Sequence, residues 1–294
     1  MDKTKATRIG RIRREGSLRM FSTFVKFGKF LLILLISLIV LTPFYWLIVT
    51  SLRRTKDMMA LHPSLIPLDI TLEHYNKVLH NVNILRYLLN SSIMAGTTTL
   101  LALFIATLAA FALARYFIKG AAIATMGLFG TQMLPPVVVV VSLFTVWLRL
   151  GIYDTLFSLI LSNLAFRLPV LIWILLPTFE TVPQDLENAA IIDGCGGWGL
   201  LFRIFIPICS PALAAGAIYV FIFTWNEYLF ALCFTESISA RVLTLGIKEY
   251  FGQHFTDWGG LMATSAILTI PILLLFFYLQ KYLVKGLLAG SIKG

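Results

Sequence analysis

Six long stretches of this chain are apolar and almost free of charge. Four of them contain no Asp, Glu, Lys or Arg, and the other two contain one charged residue each, Arg167 and Glu227. An α-helix rises about 1.5 Å per residue, so about 20 such residues cross the roughly 30 Å hydrocarbon core of a bilayer. We therefore expect an all-α membrane protein with six transmembrane helices, at residues 30–50, 91–114, 121–147, 155–178, 211–235 and 259–280.

The composition agrees with a membrane protein and argues against an ordinary soluble one. The 294 residues are 59% hydrophobic and 13% charged, whereas soluble domains carry about 25% charged residues. The formal net charge of +10 is compatible with nucleic-acid binding, but nine of the 24 Lys and Arg residues precede residue 30. A cationic excess at one end is better explained by the positive-inside rule, so we expect no nucleic-acid partner.

The same charges predict the topology. With the N-terminus inside, fifteen Lys and Arg residues fall in inner segments and eight in outer ones, which places both termini in the cytoplasm. The predicted order is a cytoplasmic basic tail (1–29), a first transmembrane helix (30–50), a periplasmic segment with short interfacial helices (51–89), a five-helix core (90–284) that contains an inner polar loop (179–210), and a cytoplasmic tail (285–294).

The third span carries a proline pair. Its 27 residues would form a straight helix of about 40 Å, longer than the hydrocarbon core, and Pro135-Pro136 lies inside it. Proline removes a backbone donor and disfavours helix at the residue before it. We expect this span to be broken at the pair, which is tolerated only against protein or a cavity.

No residue pattern predicts catalysis, a metal site or a bound nucleotide. Gly194, Gly196 and Gly199 match GxGxxG, but a dinucleotide site needs a preceding strand, and none is expected here. The chain contains no GxxxxGK[ST] phosphate-binding loop. The Cys and His residues form neither a CxxC pair nor an HExxH motif: Cys195, Cys209, Cys233, His62, His74, His80 and His254.

The polar loop contains a spaced motif. Ala189-Ala190 is followed by three residues and Gly194, and nine residues later comes Ile204-Phe205-Ile206-Pro207. This resembles the EAA loop of permease subunits of ABC importers, whose signature is Glu-Ala-Ala, three residues, Gly, nine residues, then Ile-x-Leu-Pro. Asn188 occupies the family's Glu position, with Glu187 one residue earlier, and Ile206 replaces Leu. We call residues 179–210 the EAA loop.

The residues of the EAA loop predict two short helices that meet at a sharp turn. Pro183 and two acids suit the start of a helix, and Gly194 suits the position after its end, where φ is positive. Trp198, Phe202 and Phe205 follow as an apolar stripe. An amphipathic loop that lies on the membrane is the alternative interpretation.

Other segments are similar to the shorter permease of maltose-type importers, namely 132–136, 225–228 and 286–294. The resemblance implies a type I ABC importer permease fold that moves a sugar or oligosaccharide. It also implies a second homologous permease subunit, a dimer of ATPase subunits that binds ATP and Mg, and a periplasmic or lipid-anchored solute-binding protein. We expect this chain to bind no cofactor itself. The ATPase-coupling residues that it implies are Glu187, Asn188, Ala189, Ala190, Asp193, Gly194, Trp198, Phe202 and Pro207.

Polar groups within the spans are candidates for the translocation path. Ionisable groups there are costly and usually face a cavity or a partner. Candidate path residues are therefore Asn226 and Glu227, together with Pro135 and Pro136 at the expected break in the third span. Glu227 is equally well explained as a brace between helices. Arg167 either pairs with Glu227 or lies near the outer rim. The C-terminal tail either reaches the ATPase interface or lies near anionic lipid.

Three other functions stay open at this point. The transported solute is a phosphorylated polyol or another non-sugar, or the chain is a secondary carrier, or it is a membrane-embedded enzyme. A carrier usually has two repeated halves with matching broken helices, which residues 1–150 and 151–294 do not show. An enzyme should have paired catalytic groups near one membrane face, and we identify none.

Overall fold

A computed structural model describes residues 3–58, 64–67, 69–80, 82–252 and 256–291. These ranges are almost entirely helical and contain no β-strand. The helices are α1 (Lys3–Ser51), α2 (Thr55–Met58), α3 (Glu73–His80), α4 (Val82–Arg115), α5 (Ala121–Gly130), α6 (Pro136–Arg149), α7 (Leu156–Glu180), α8 (Gln184–Ile192), α9 (Gly197–Leu200), α10 (Ile206–Ile208), α11 (Ser210–Trp225), α12 (Leu229–Phe234), α13 (Leu243–Gly246) and α14 (Trp258–Ser291).

The expected all-α architecture is confirmed. Four described helices are long and apolar enough to cross a bilayer, at Val25–Ser51, Asn83–Arg115, Leu156–Glu180 and Trp258–Tyr282. Two bent helix pairs raise the number of spans to six if each pair is one span. Two of the helices are clearly longer than the apolar stretches within them. α1 already begins at Lys3, within the expected basic tail, and α4 begins at Val82 rather than at residue 91, because Lys, Arg and Leu are good helix formers.

The third span is broken at the proline pair, as the sequence predicts. α5 continues into a 3₁₀ turn, Thr131–Met133, and α6 then starts at Pro136 with its axis bent by 103°. Leu134, the residue before Pro135, is extended, with φ −77° and ψ 124°, because the proline ring excludes helical geometry there.

The fifth span is broken between Trp225 and Leu229, which the sequence analysis did not anticipate, and a sharp bend precedes it at the expected end of the EAA loop. The segment Gly197–Ile208 meets α11 at an angle of 79°. α11 then ends at Trp225, and the chain becomes helical again only at Leu229. Glu227 therefore lies in a break rather than midway along a continuous span, and its carboxylate Oε1 accepts a hydrogen bond from the Phe230 N–H at 2.8 Å.

Small residues allow the central helices to pack closely. α4 packs mainly against α7 and α11, and its Ala102, Ala106 and Ala110 are fully buried at a spacing of four residues. On α11, a Cβ added to Gly216 would lie 2.3 Å from Leu171 Cδ1 of α7. Small residues at such positions are typical of membrane helix interfaces.

α4 connects two polar regions. Near its start, Asn90 Nδ2 donates to the carbonyls of Ser239 (2.9 Å) and Arg241 (2.7 Å). At its end, Arg115 lies against the EAA loop. The helical rise between Asn90 and Arg115 is about 37 Å, more than the hydrocarbon thickness. The 236–249 segment and the EAA loop therefore lie at opposite ends of the helix bundle.

Candidate functional site

The EAA loop folds as two helices joined by a glycine turn. α8 follows Pro183 and has Asp185 and Glu187 in its first turn, where carboxylates interact favourably with the helix dipole. Gly194 has φ +83°. The Gly194 N–H donates to Ile191 O and the Cys195 N–H donates to Ala190 O, both at 2.9 Å. This is the hydrogen-bond pattern of a Schellman motif, so the predicted role of Gly194 at the helix end is confirmed.

The tip of the EAA loop presents an exposed apolar surface. Ile192 is 85% exposed and Trp198 is 64% exposed, and the rings of Trp198 and Phe202 stack with centroids 6.0 Å apart. We give the name apolar tip to five exposed apolar residues of the EAA loop: Leu186, Ile191, Ile192, Trp198 and Phe202. Polar groups border it, because Asn188 and Asp193 are also exposed.

Phe205 does not continue this stripe, so the expected alignment of three aromatic residues is wrong. α9 passes into a π-helical turn at Leu201–Phe205, and the extra residue in that turn rotates the helix face. Phe205 is fully buried and lies against Phe111 and Phe179, with ring centroids 4.9 and 5.6 Å apart. Pro207 follows in α10 and is exposed.

The expected coupling residues separate into two sets. Ala189, Asn188 and Asp193 are exposed, whereas Ala190 is buried. Glu187 points inward and forms an ion pair with Arg115, in which both side chains are 12% exposed. The sequence analysis treated Arg115 only as an inner cation. The available signal that Arg115 has a structural partner was its position immediately after the charge-free stretch 91–114.

The candidate path residues lie at the two helix breaks. Arg167 Nη2 is 3.5 Å from Glu227 Oε2, so the open question about Arg167 is answered in favour of the pair. Asn226 is exposed, and its Nδ2 donates to Ile222 O at 2.8 Å. The break at Pro135-Pro136 and the break at Glu227 border the same apolar cluster, in which Val140 of α6 and Phe230 of α12 are buried.

A cavity of about 270 Å³ opens beside the break in the third span. Gln132 lies in its wall and donates to Phe166 O of α7 at 3.2 Å. The remaining wall is mainly apolar, and the full lining is Leu128, Thr131, Gln132, Leu134, Val139, Leu143, Ala165, Phe166 and Pro169. Pro135 and Pro136 adjoin this cavity in sequence but are not among its lining residues.

Within the described residues, no three His, Cys, Asp or Glu side chains lie close enough to hold a metal ion. Gly194, Gly196 and Gly199 belong to the turn and helix of the EAA loop and follow no strand. His62, His254 and residues 292–294 of the C-terminal tail lie outside the described residues.

Comparisons with known proteins agree with this geometry. Residues 106–288 match the family model described as binding-protein-dependent transport system inner membrane component. The chain is 39% identical over 264 residues to the trehalose/maltose transport system permease protein MalG of Thermococcus litoralis, covering 89% of this chain and 94% of that protein. It is 32% identical over 274 residues to the inner membrane ABC transporter permease protein YcjP of Escherichia coli, covering 92% and 98%.

The fold also matches a solved structure. A chain of a bacterial ABC transporter involved in the import of the acidic polysaccharide alginate superimposes with a TM-score of 0.73 and 21% sequence identity, covering 86% of this chain and 94% of that one. The family match covers both broken spans and the whole EAA loop. The chain belongs to the family of inner membrane components of binding-protein-dependent transport systems and is a multi-pass permease subunit.

Proposed function

We propose that this chain is one of two permease subunits of an ATP-driven importer that brings a sugar or oligosaccharide into the cytoplasm. A solute-binding protein delivers the substrate, and the permease pair alternates between outward-open and inward-open states. Support for the substrate class comes from the 39% identity to a trehalose/maltose permease over nearly the whole chain. The two states interconvert because ATP and the loaded binding protein bind them with different affinities.

The apolar tip of the EAA loop carries the proposal. Large apolar residues in a polar loop, away from the spans, normally mark a surface that another protein covers. Ile192 is 85% exposed and lies beside the Gly194 turn. We infer that an ATPase subunit covers this tip, with Asn188, Ala189 and Asp193 at its polar edge and Gly194 fixing its angle. The buried Ala190 would support the tip from behind, and Pro207 in α10 would lie in the segment that leads from the tip to α11.

The proposed complex contains one ATPase for each permease, and ATP with Mg binds to those subunits. The EAA loop then faces the cytoplasm, together with both chain termini, as the distribution of Lys and Arg also predicts. The 236–249 segment at the other end of α4 then faces the binding protein. The C-terminal tail is a further candidate for contact with the ATPases.

We propose that the translocation path passes the two helix breaks, near Pro135, Pro136, Asn226 and Glu227. Backbone that is not helical at membrane depth is tolerated where it lines a cavity or is buried in protein. The cavity beside Gln132 and the exposed amide of Asn226 supply polar groups next to apolar walls. That combination is suited to sugars, which present both hydroxyl groups and apolar ring faces.

A charged residue on the apolar tip tests the contact with the ATPase. Ile192→Glu should remove the ATPase from the purified complex, because a carboxylate would be buried without a partner in the interface. Ile238→Glu is the matched control. Ile238 is also exposed, at 45%, but lies in the loop at the other end of α4. Co-purification of the ATPase is the measurement. Equal retention by both variants and the parent protein would rule out the proposed contact.

The substrate class needs a separate experiment. The binding protein encoded with this permease should be screened by thermal shift against maltose, trehalose, longer oligosaccharides and phosphorylated polyols. Stabilisation by the sugars alone supports the proposal, since a ligand at 100 times its Kd stabilises its protein by about 2.7 kcal/mol. Stabilisation by a phosphorylated polyol alone would contradict it.

A further inference from the structure

Arg115 holds the EAA loop to the end of α4 through three separate contacts. Its guanidinium forms the ion pair with Glu187 of α8, Nη2 donates to Val182 O at 2.7 Å, and its charge lies 4.8 Å from the centroid of the Phe205 ring. One side chain thus binds the segment before α8, α8 itself and the segment after the glycine turn.

The Arg115 contacts are largely shielded from water. Both Arg115 and Glu187 are 12% exposed, and Phe205 is fully buried. Screening by water and salt is weak for such a pair, so its Coulombic attraction is stronger than that of an exposed pair, and removing one partner leaves an uncompensated shielded charge. A planar guanidinium also suits simultaneous hydrogen bonding and stacking on an aromatic ring, which a lysine ammonium does not reproduce.

The apolar contacts of the loop lead to the same helix. Phe205 packs edge-on against Phe111 of α4 at 4.9 Å, and Ala190 and Leu200 belong to the same buried cluster. Along the chain the EAA loop is joined only to α7 and α11. Arg115 and Phe111 therefore connect it to a third helix that is distant in sequence.

We propose that Arg115 is the positioning residue that makes the EAA loop and α4 move as one body, an inference that rests on the proposed contact between the loop and an ATPase. Displacement of the loop is then transferred directly to α4, which crosses to the Asn90 end, where Asn90 holds the 236–249 segment. Without Arg115 the loop still binds the ATPase but rotates about its covalent connections to α7 and α11 without moving α4. ATP hydrolysis then continues without transport.

Substitutions at Arg115 test this assignment in the reconstituted complex. Arg115→Ala should lower transport per ATP hydrolysed about tenfold or more, a typical size for coupling between sites, while the ATPase still co-purifies. Transport per ATP hydrolysed by Arg115→Lys should lie between the values for Arg115→Ala and the parent protein. Lys119→Ala is the matched control, because Lys119 is an exposed cation in the loop that follows α4, and its coupling should be unchanged. Unchanged coupling in Arg115→Ala would overturn the proposal.

Exchanging the two charges separates positioning from general damage. Arg115→Glu with Glu187→Arg restores an ion pair in reverse orientation and should recover part of the coupling that each single variant loses. The recovery should be incomplete, since the contacts to Val182 and Phe205 are not restored. A double variant no better than the worse single variant would contradict the role of the ion pair.

A distance measurement tests the rigid connection itself. Spin labels at Gln184 of α8 and Ile105 of α4, in a chain lacking its three cysteines, should give one narrow distance distribution with and without a non-hydrolysable ATP analogue. In Arg115→Ala the distribution should broaden. A distance that shifts on ATP binding in the otherwise unmodified chain would overturn the proposal, even if Ile192→Glu still removes the ATPase. Retention of the ATPase by Ile192→Glu together with an unshifted distance would instead reject the proposed ATPase contact and leave the rigid connection standing.

Discussion

Arg167 and Glu227 form an ion pair between α7 and the break after α11, with Arg167 Nη2 3.5 Å from Glu227 Oε2. The guanidinium also lies 5.1 Å from the ring centroid of Phe223. Glu227 Oε1 accepts from the Phe230 N–H at 2.8 Å, and the Glu227 carbonyl accepts from Thr244 Oγ1 at 2.6 Å. Glu227 therefore neutralises a cation and accepts a hydrogen bond at the start of α12.

Removing the Glu227 carboxylate should destabilise the permease strongly. Glu227→Ala leaves Arg167 without its counter-charge and the Phe230 N–H without an acceptor, which should cost about 3–5 kcal/mol. Glu227→Gln should cost less, because the amide oxygen still accepts from Phe230. Thermal unfolding of the protein in nanodiscs is the measurement.

A double substitution is the control for the charge balance. Arg167→Met with Glu227→Gln removes both charges and keeps the acceptor for Phe230, so it should be more stable than Glu227→Ala. If Glu227→Ala stayed within about 0.5 kcal/mol of the parent protein, the range typical of surface substitutions, the pair would have no structural role.

The turn in the EAA loop should require glycine at position 194 but not at position 196. Gly194 has φ +83°, while Gly196 has φ −78°, and an added Cβ meets nothing within 4 Å at either position. Gly194→Val should therefore change the backbone of the turn, at a cost of about 1–3 kcal/mol for a strained residue, and reduce transport. Gly196→Val, which adds the same side chain at a negative φ, should leave transport near the parent level.

The measurement for this pair is sugar uptake in proteoliposomes together with ATP hydrolysis. Because neither glycine has a side-chain clash, a difference between the two variants reports backbone conformation. Full transport by Gly194→Val would show that the angle of the turn is unimportant for coupling.

Contact between α7 and α11 should be sensitive to one added methyl group. Gly216→Ala places a Cβ about 2.3 Å from Leu171 Cδ1, and Leu171 is fully buried, so the overlap should cost about 1–3 kcal/mol. Gly127→Ala is the control, since a Cβ there meets nothing within 4 Å and alanine favours helix by roughly 1 kcal/mol.

Combining Gly216→Ala with Leu171→Ala checks the cause of that loss. The smaller side chain makes room for the new methyl group, so the double variant should be less destabilised than the sum of the two single variants. If the losses in unfolding free energy of the two single variants add up to that of the double variant, the strain lies somewhere other than Leu171.

Asp154 anchors the loop after α12 and adopts an unusual backbone conformation. Its φ is +57°, and Oδ1 accepts from the N–H groups of Glu236 at 2.8 Å and Ser237 at 3.0 Å. Asp154→Ala should lose both hydrogen bonds and keep the strained φ. Asp154→Gly should lose only the hydrogen bonds, and Asp154→Asn should retain an acceptor.

We expect thermal stability to decrease from the parent protein to Asp154→Asn, then to Asp154→Gly and finally to Asp154→Ala. Hydrogen bonds to a charged group contribute about 1.5–3 kcal/mol, and the left-handed conformation costs a non-glycine residue about 1–2 kcal/mol. A Gly variant less stable than the Ala variant would exclude backbone strain at this position.

The Asp154 anchor should also weaken in acid. Burial alone raises the pKa of Asp154, but the hydrogen bonds from Glu236 and Ser237 outweigh it, and the pKa is lowered from its ordinary value of 3.8. The folded state therefore favours the charged form. Its stabilisation is present above pH 3.8 and is lost as pH falls through the lower pKa of the folded protein. Amide exchange at residues 236 and 237 should show this loss in the parent protein but not in Asp154→Asn.

Several features of the fold and of the EAA loop follow from local sequence alone. Charge-free stretches of 20 or more residues have to be helical in a bilayer, because no other single segment pairs its own backbone groups there. Pro135-Pro136 breaks the third span through ring geometry, and Gly194 ends α8 because the turn needs a positive φ. Each of these outcomes depends on residues within a few positions of the site, so the sequence was sufficient to predict it.

Tertiary structure decided how distant residues meet. Glu187 turns inward to Arg115, Glu227 pairs with Arg167 across two helices, and a π-helical turn buries Phe205 away from Trp198. The local sequence marks Arg115, Arg167 and Glu227 as unusual charges but does not fix the partner of each, since helix periodicity does not show which face packs against another helix. The sequence by itself determined which stretches are long and apolar enough to cross the membrane, where the third span breaks and where α8 ends. Only packing, which brings together charged residues 60 and 72 positions apart, decided which charges are neutralised and which apolar surface stays exposed for a partner.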